Sequence, residues 1–418
     1  MPSALPDGAP SPADGALPAS ALGEIGTTPF GFYVHVPFCT VRCGYCDFNT
    51  YTASELGDVR GASRASYAEA AIDEVRFARK VLGDIDVPVE TIFFGGGTPT
   101  LLPPADLVSV VDAVRAEFGL APDAEITAES NPDSVSPADL CALRDGGVNR
   151  ISFGMQSSVR SVLAVLDRTH DPERVPDVMG WARTAGFDQV SLDLIYGTPG
   201  ESVEQWQESV SAAVVLGPNH ISAYALIVED GTALARRIAR GELAMTDDDD
   251  LADKYEVADD LLAAAGYGWY EVSNWARSPS VWCRHNLGYW TGADWWGVGP
   301  GAHSHIGGVR WWNVKHPTPY AERIAAGVSP AAAREVLDAE TRRVERVLLE
   351  TRLVTGLPLD VLDAAGRAVV PHLITDGLAE LSEPRGAMTR PTSDNSVRLV
   401  LTRRGRLLAD AVVRSLLP

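Results

Sequence analysis

The chain of 418 residues is poor in lysine, in positive charge overall and in cysteine. Lys80, Lys254 and Lys315 are its only lysines, and the net charge is −21. A general nucleic-acid or anionic-membrane surface needs basic patches, so neither partner is expected, although peripheral membrane contact is left open. No apolar run is long enough to span a bilayer. The first 27 residues contain no Lys or Arg and are rich in Ala, Pro, Gly and Ser. They lack the basic start of a signal peptide, and the expectation for 1–27 is a disordered leader. Five cysteines, three of them clustered, do not make a disulfide framework. Clustered thiols need a reducing compartment, which predicts a cytoplasmic protein.

What is present is organised around Cys39, Cys43 and Cys46, in the spacing C-x3-C-x2-C. Two tight loops let three thiolates converge on one soft metal centre, and thiolates suit iron–sulfur clusters. Three local ligands on a four-iron cubane leave one iron open for a small molecule. A structural zinc knot fits less well, because the spacing is not the paired C-x2-C of zinc sites and no fourth Cys or His follows closely. Set after an apolar strand and followed by Phe48, this spacing resembles the signature of the radical SAM superfamily. There the open iron of a [4Fe-4S] cluster binds S-adenosylmethionine.

From Thr28 onward the chain alternates strand and helix patterns. Apolar, β-rich runs at 31–37, 91–94, 125–129, 150–153, 189–196 and 220–227 predict strands. Helical periodicity covers 66–82, 104–118, 137–144, 172–185 and 203–215, and several of these begin with a first-turn proline. The alternation predicts an α/β fold with a parallel sheet, as an open sheet or a curled partial barrel. In either form the C-terminal strand ends face the ligand.

Chemistry gathers at those ends. Gly95, Gly96 and Gly97, followed by Thr98, let backbone N–H groups approach a ligand, although a tight turn explains a glycine run equally well. Glu129 closes the third strand, where it can meet an ammonium or a ribose hydroxyl, and Gln156 follows the fourth. Asp193 interrupts an apolar strand and needs a partner or ligand, and an ion pair with Arg168 is one structural alternative. Their order at successive strand ends favours one common site.

Residues 266–313 hold eight of the ten tryptophans, a density that suits a packed core or a flat conjugated ligand. Within them, His285 can offer an imidazole to a haem iron, with Tyr289 and Trp290 as walls and Cys283 as a second candidate ligand. His303 and His305 follow in a glycine-rich loop, so the ligand assignment is not unique. His35 and His170 lie nearer the cysteines in the strand order and are candidates for the cofactor site. Beyond residue 337, helical patterns at 341–354, 358–365 and 370–381 and a final strand-turn-helix resemble a winged-helix module with few basic residues beyond Arg403, Arg404 and Arg406.

Over 31–313 and the appended small domain, the chain resembles the family of oxygen-independent coproporphyrinogen III oxidases and their haem-chaperone relatives. The resemblance implies a partial (β/α)6 radical SAM barrel over 28–255, a tryptophan-rich haem-binding and connecting region over 256–336, and a small C-terminal winged-helix-like helical domain over 337–418. It implies that Tyr33, Gly96 and Glu129 hold the cluster-bound S-adenosylmethionine. Tyr45, Gly97, Thr98, Gln156, Arg168 and Asp193 match positions that contact a second cofactor molecule in the oxidases. Two features favour the chaperone branch: the oxidases carry a further cysteine where this chain has Phe48, and the pattern from His285 to Trp290 resembles the chaperones' HNxxYW haem motif. The expectation is a protein that binds cluster, S-adenosylmethionine and haem and passes haem to an acceptor apoprotein. The alternative is a radical-based porphyrinogen decarboxylase, and a nucleic-acid-binding regulator is a third reading that the acidic charge disfavours.

Overall fold

The computed structural model describes residues 7–56, 63–383 and 396–417. Six strands, β1 (Phe30–Val36), β2 (Val89–Gly96), β3 (Leu120–Ser130), β4 (Arg150–Gln156), β5 (Gln189–Tyr196) and β6 (His220–Ala225), lie parallel in sequence order. Each is joined to the next through helix, as βα units require. Along these strands one face is apolar: Phe32, Val34, Ile92, Phe94, Ile126, Ile151, Phe153, Leu192 and Ile221 are almost wholly buried under the helices. Each such side chain contributes about 1.5–3 kcal/mol by leaving water. The alternate residues face the other way and are mostly polar: Tyr33 and His35, Thr91, Glu125 and Glu129, Arg150 and Ser152, Asp193, and His220. A polar yet buried inner face must be satisfied by partners or ligands.

The six-stranded array stays open, and further strands extend both edges. Beside β6 lie β7 (Gly268–Glu271) and β8 (Asn274–Ala276), antiparallel, in the order β6-β8-β7. Beside β1 lies β9 (Asp294–Val298), which is parallel to it. Antiparallel β10 (His303–Ile306), β11 (Val309–Asn313) and β12 (Ala331–Val336) follow and complete a twelve-stranded sheet. Residues 256–336 are therefore continuous with the sheet rather than a separate connecting region. The expected boundary at 255 falls inside the Asp248–Ala264 helix. In β7, β8, β9 and β11 the period-2 pattern is masked by tryptophans.

The expectation of a disordered leader fails for residues 7–27. Ala9 exchanges two 2.9 Å backbone hydrogen bonds with Arg334 on β12, and the Ala19–Glu24 helix buries Ala21. Glu24 pairs with Arg342 at 2.7 Å. Composition alone misses that Leu17, Ala21, Leu22 and Ile25 supply an apolar stripe that packs on the core. Residues 1–6 lie outside the described residues.

The C-terminal part consists of the Ala339–Glu350 helix, β13 (Leu357–Pro358), the Ala364–Thr375 helix, β14 (Ala379–Ser382), β15 (Arg398–Leu401) and two short terminal helices. Its strands form a separate antiparallel sheet in the order β13-β15-β14, and it has its own apolar core around Val347, Leu373, Leu399 and Leu416. This helix–strand–helix–strand–strand order is winged-helix-like. The expected helices at 358–365 and 370–381 are replaced by one helix that runs through Pro371, carried by the burial of Val370 and Leu373. The basic triplet does not form an open patch: Arg406 pairs with Asp259 at 2.7 Å, Arg403 with Asp260 at 2.6 Å, and Arg404 donates to the Asp376 carbonyl. Those pairs dock this unit on the Asp248–Ala264 helix.

Candidate functional site

The cysteine loop leaves the C-terminal end of β1 and is pinned on three sides. Thr98 N donates to the Phe38 carbonyl at 2.8 Å, and Gly97 N donates to Val36 O at 2.8 Å, which ties the loop to the glycine run. Gly44 N donates to Leu166 O, and Leu234 N donates to Gly44 O. Asn49 donates to the carbonyls of Pro300 and Lys315, fastening the loop's exit to the glycine-rich connection after β9 and to the segment that follows β11.

The glycines are required by close approach. A Cβ on Gly97 would stand 2.5 Å from the Phe38 carbonyl oxygen, and one on Gly96, whose φ is +105°, would stand 2.6 Å from the His35 ring. A side chain on Gly44 would collide with the Asp167 carboxylate.

All three thiols are free and partly exposed. Burial pushes the Cys39 thiol up and the Cys46 thiol up to about 12, so loading with iron must displace protons. Arg168 stands by, its guanidinium 3.7 Å from Cys43 Sγ and 2.7 Å from the Gly154 carbonyl, with Nε buried and unpartnered. Among the described residues no three His, Cys, Asp or Glu side chains are grouped to hold a single metal ion. Three free thiols on one loop, beside the buried cation of Arg168, fit an anionic [4Fe-4S] cluster with one open iron.

Next to the loop, the inner face forms a cradle. His35 Nε2 lies 2.9 Å from the Asn49 carbonyl, which can only accept. The proton therefore sits on Nε2, and Nδ1 accepts from the Tyr33 hydroxyl at 3.0 Å. Burial holds His35 down to about 4, so this neutral form persists. Glu129 accepts from Gly96 N at 3.3 Å, and burial together with Asp193 pushes its carboxyl up to about 8. A carboxyl so placed calls for a cation, which the ammonium of S-adenosylmethionine would supply.

Asp193, also raised by burial, accepts from Ser152 at 2.8 Å. The structural alternative of an Arg168–Asp193 ion pair is not formed, since Arg168 is engaged by Gly154 and Cys43. Gln156 takes a left-handed φ of 61° at a bulge between β4 and β5, a backbone cost of the kind found at functional sites. Tyr45 packs beneath the loop with Val162, Leu166 and Leu234. His170 is buried near Arg168, with its imidazole held down to about 4 by burial. The structure thus brings Tyr33, Gly96, Gly97, Thr98, Glu129, Gln156, Arg168 and Asp193 to the cleft beside the three cysteines.

The HNxxYW segment forms a floor under the inner face, next to the cradle, where the His285 ring stacks on that of Tyr33 at 6.3 Å. Residues 270–289 cross the N-terminal halves of the strands. Tyr270 bonds His220 at 2.7 Å, Val281 O accepts from Arg150 at 2.9 Å, and Glu125 accepts from the backbone of Arg284 and His285 at 3.2 Å each. His285 is 4% exposed, with Nδ1 bonded to Thr91 at 2.8 Å and Nε2 to the Tyr289 hydroxyl at 2.8 Å, and its ring stacks 5.1 Å from Phe93. Burial holds it down to about 3. Cys283 is likewise buried, its thiol directed to Glu125. Neither side chain is open to a ligand in this arrangement, contrary to what the pattern of neighbours predicts.

On the β1–β9 flank, a cavity of about 280 Å³ opens beside the cysteine loop. It is lined by Tyr33, His35, Phe48, Tyr289, Trp295, His303 and Lys315 among others. Sequence reasoning misses Asn49 and Glu125 as organisers of the site. A polar residue just after the third cysteine and an acid in an otherwise apolar strand were the available signals.

Residues 33–213 match the model of the Radical SAM superfamily. The chain is 53% identical over 390 residues to Heme chaperone HemW of Mycobacterium tuberculosis, covering 93% of this chain and 95% of that protein. It is 32% identical to Heme chaperone HemW of Bacillus subtilis, over 91% and 97% of the two chains. Among solved structures, coproporphyrinogen III oxidase (HemN) from Escherichia coli, a radical SAM enzyme, superposes with a TM-score of 0.77 at 23% identity, covering 95% of this chain and 92% of that one. That likeness speaks to the fold. No helix among the described residues is long and apolar enough to cross a membrane.

Proposed function

Because the chain belongs to the HemW haem chaperone family within the radical SAM superfamily, we propose that it binds a [4Fe-4S] cluster, S-adenosylmethionine and haem, and hands the haem to an acceptor apoprotein in the cytoplasm. Cys39, Cys43 and Cys46 would hold the cluster, whose open iron chelates the amino acid end of the cofactor. The chain's own residues then do the positioning. Glu129 and the Gly96 region meet the ammonium, and His35 fixes the direction of the Tyr33 hydroxyl. The cation of Arg168 offsets negative charge at Cys43. Gln156 and Asp193 border the same cleft and serve the remainder of the cofactor, or a second molecule of it.

The observation that carries the chaperone reading is Phe48. Where the related oxidases have a further cysteine, this chain has an aromatic ring, 58% exposed, on the wall of the cavity beside the cluster loop. An exposed aromatic is costly in water and suited to a conjugated, flat cargo. A second reading, porphyrinogen decarboxylation, is kept alive by the intact cofactor cradle.

The test pairs two assays on anaerobically reconstituted protein. Saturable one-to-one haem binding with no conversion of coproporphyrinogen III to protoporphyrinogen is expected. Turnover of the porphyrinogen, with no saturable haem binding, would replace the chaperone by the oxidase.

A further inference from the structure

We infer that Glu74 is a positioning residue for the cysteine loop: from behind β1 it holds the glycine-rich connection after β9, and through that connection it fixes Asn49, His35 and hence the Tyr33 hydroxyl beside the three thiols. The inference rests on the cluster reading of those thiols and adds a residue to it. Glu74 lies on the Arg64–Leu82 helix and is 0% exposed, and none of its hydrogen-bond partners is a cation. A carboxyl persists in a core only where hydrogen bonds satisfy it. Its Oε2 accepts from Gly299 N at 2.8 Å and from the Tyr320 hydroxyl at 2.6 Å, and its Oε1 accepts from Asn313 Nδ2 at 2.8 Å. Burial pushes the carboxyl up to about 7, and these three donors work against the rise. A buried charged group is a poor source of stability compared with an apolar side chain of the same size. What its bonds hold in place is therefore the point.

They hold the backbone of 297–301. Asn313 Nδ2 also donates to Gly299 O at 3.0 Å, and Gly301 N donates to Val314 O at 2.9 Å. The connection so fixed touches the cysteine loop and its strand at two points. Pro300 O accepts from Asn49 Nδ2 at 2.9 Å, just beyond Cys46 in the chain. Gly299 lies against β1 so closely that a Cβ there would stand 2.5 Å from the His35 carbonyl oxygen. That same oxygen accepts from the Tyr67 hydroxyl at 2.6 Å, and Tyr67 precedes Glu74 on the same buried helix face. His35 then joins the two points, since Nε2 donates to the Asn49 carbonyl and Nδ1 accepts from Tyr33. One helix thus braces both the strand that carries Tyr33 and the exit of the loop that carries Cys46.

Only a carboxylate serves all three donors. Glutamine has one accepting oxygen, and its amide hydrogens would face Gly299 N or Asn313 Nδ2. Asn313 cannot turn to meet them, because its Nδ2 also serves the Gly297 and Gly299 carbonyls. Its Oδ1 has no partner to lose, so the orientation is set entirely by those donations. Glu74→Gln therefore keeps the size of the side chain and breaks the brace.

The experiment uses the full-length, anaerobically reconstituted protein as wild type, Glu74→Gln, Asn49→Ala, the double variant, Tyr320→Phe and, as a control for lost stability remote from the cluster, Arg406→Ala. Two quantities are read: the rate at which iron passes to a chelator, and the change that S-adenosylmethionine produces in the EPR spectrum of the reduced cluster. Groups that orient metal ligands alter metal retention by about 10–100-fold, and a brace acting through Asn49 belongs at the low end, so Glu74→Gln should release iron about tenfold faster. It should also need more S-adenosylmethionine for the same spectral change. The double variant should be no worse than Asn49→Ala alone, because both act on one link. Tyr320→Phe removes one of the three donors and should show a smaller effect of the same kind, which carries the test if Glu74→Gln does not fold.

Iron release from Glu74→Gln at the wild-type rate, or no faster than from Arg406→Ala, would overturn the inference and leave the cluster reading standing. Effects of Glu74→Gln and Asn49→Ala that multiply in the double variant would overturn it as well, since Glu74 would then not act through Asn49. A wild-type protein that holds no cluster would overturn the cluster reading itself.

Discussion

Replacing Glu125 by Ala tests the way the HNxxYW segment is anchored. The Arg284–Thr291 helix has no side-chain cap of its own, and its first N–H groups are satisfied from across the fold by Glu125 on β3. One carboxylate oxygen accepts from His285 N and the other from Arg284 N, each at 3.2 Å, and Cys283 Sγ lies 3.7 Å away. Hydrogen bonds to a charged group contribute about 1.5–3 kcal/mol each, and the two amides would be left without their acceptor, so Glu125→Ala should cost about 3–5 kcal/mol. The loss also removes a negative neighbour from Arg150, which is 2% exposed. Glu125→Gln keeps one acceptor oxygen and should cost about 1–2 kcal/mol. Equilibrium urea unfolding followed by tryptophan fluorescence reads the difference directly, since the floor is rich in tryptophan. A Glu125→Ala protein within about 1 kcal/mol of wild type would refute the reasoning, because the helix start would then be satisfied without this carboxylate.

Three further perturbations address other parts of the molecule. Gly97→Ala places a Cβ 2.5 Å from the Phe38 carbonyl and should cost about 1–3 kcal/mol by overpacking; fewer irons retained per chain after reconstitution is the expected readout. For Glu129, burial raises the folded carboxyl from 4.5 to about 8, so the native state keeps a proton that the unfolded chain releases. Its contribution is complete below the ordinary carboxylate range and is lost as pH rises toward 8, by up to about 5 kcal/mol; the fall in apoprotein stability over this window should flatten in Glu129→Gln. Arg406→Ala breaks a pair in which both side chains are about nine-tenths buried, and it should loosen the C-terminal unit by about 3–5 kcal/mol; faster hydrogen exchange confined to residues 339–417 and the Asp248–Ala264 helix would register it.

The cleft beside the cysteines was readable in advance because its residues sit at successive ends of parallel strands. A parallel array brings those ends together whatever the intervening helices do. Tyr33, Gly96, Glu129, Gln156 and Asp193 are local to their strands, so their order along the chain carries over into space. The floor was not readable in this way. His285 and its aromatic neighbours look like an accessible ligand and its walls in one dimension. In the fold, Thr91, Phe93 and Glu125, about 160–190 residues earlier in the chain, engage the imidazole and the helix start and bury both. The leader misled for a similar reason, since a few apolar residues among Ala, Pro and Gly find a surface only once β10 to β12 exist.

By itself, then, the sequence determined the α/β class, the three-thiol loop and the order of the candidate residues at successive strand ends, because those follow from local spacing and from the alternation of strand and helix patterns along the chain. Only the tertiary structure decided which histidine is open and which is enclosed, where the aromatic walls meet, and how the C-terminal arginines are neutralised. Burial and hydrogen-bond satisfaction are properties of partners far away in the chain, and they exist only after the sheet has brought those partners together.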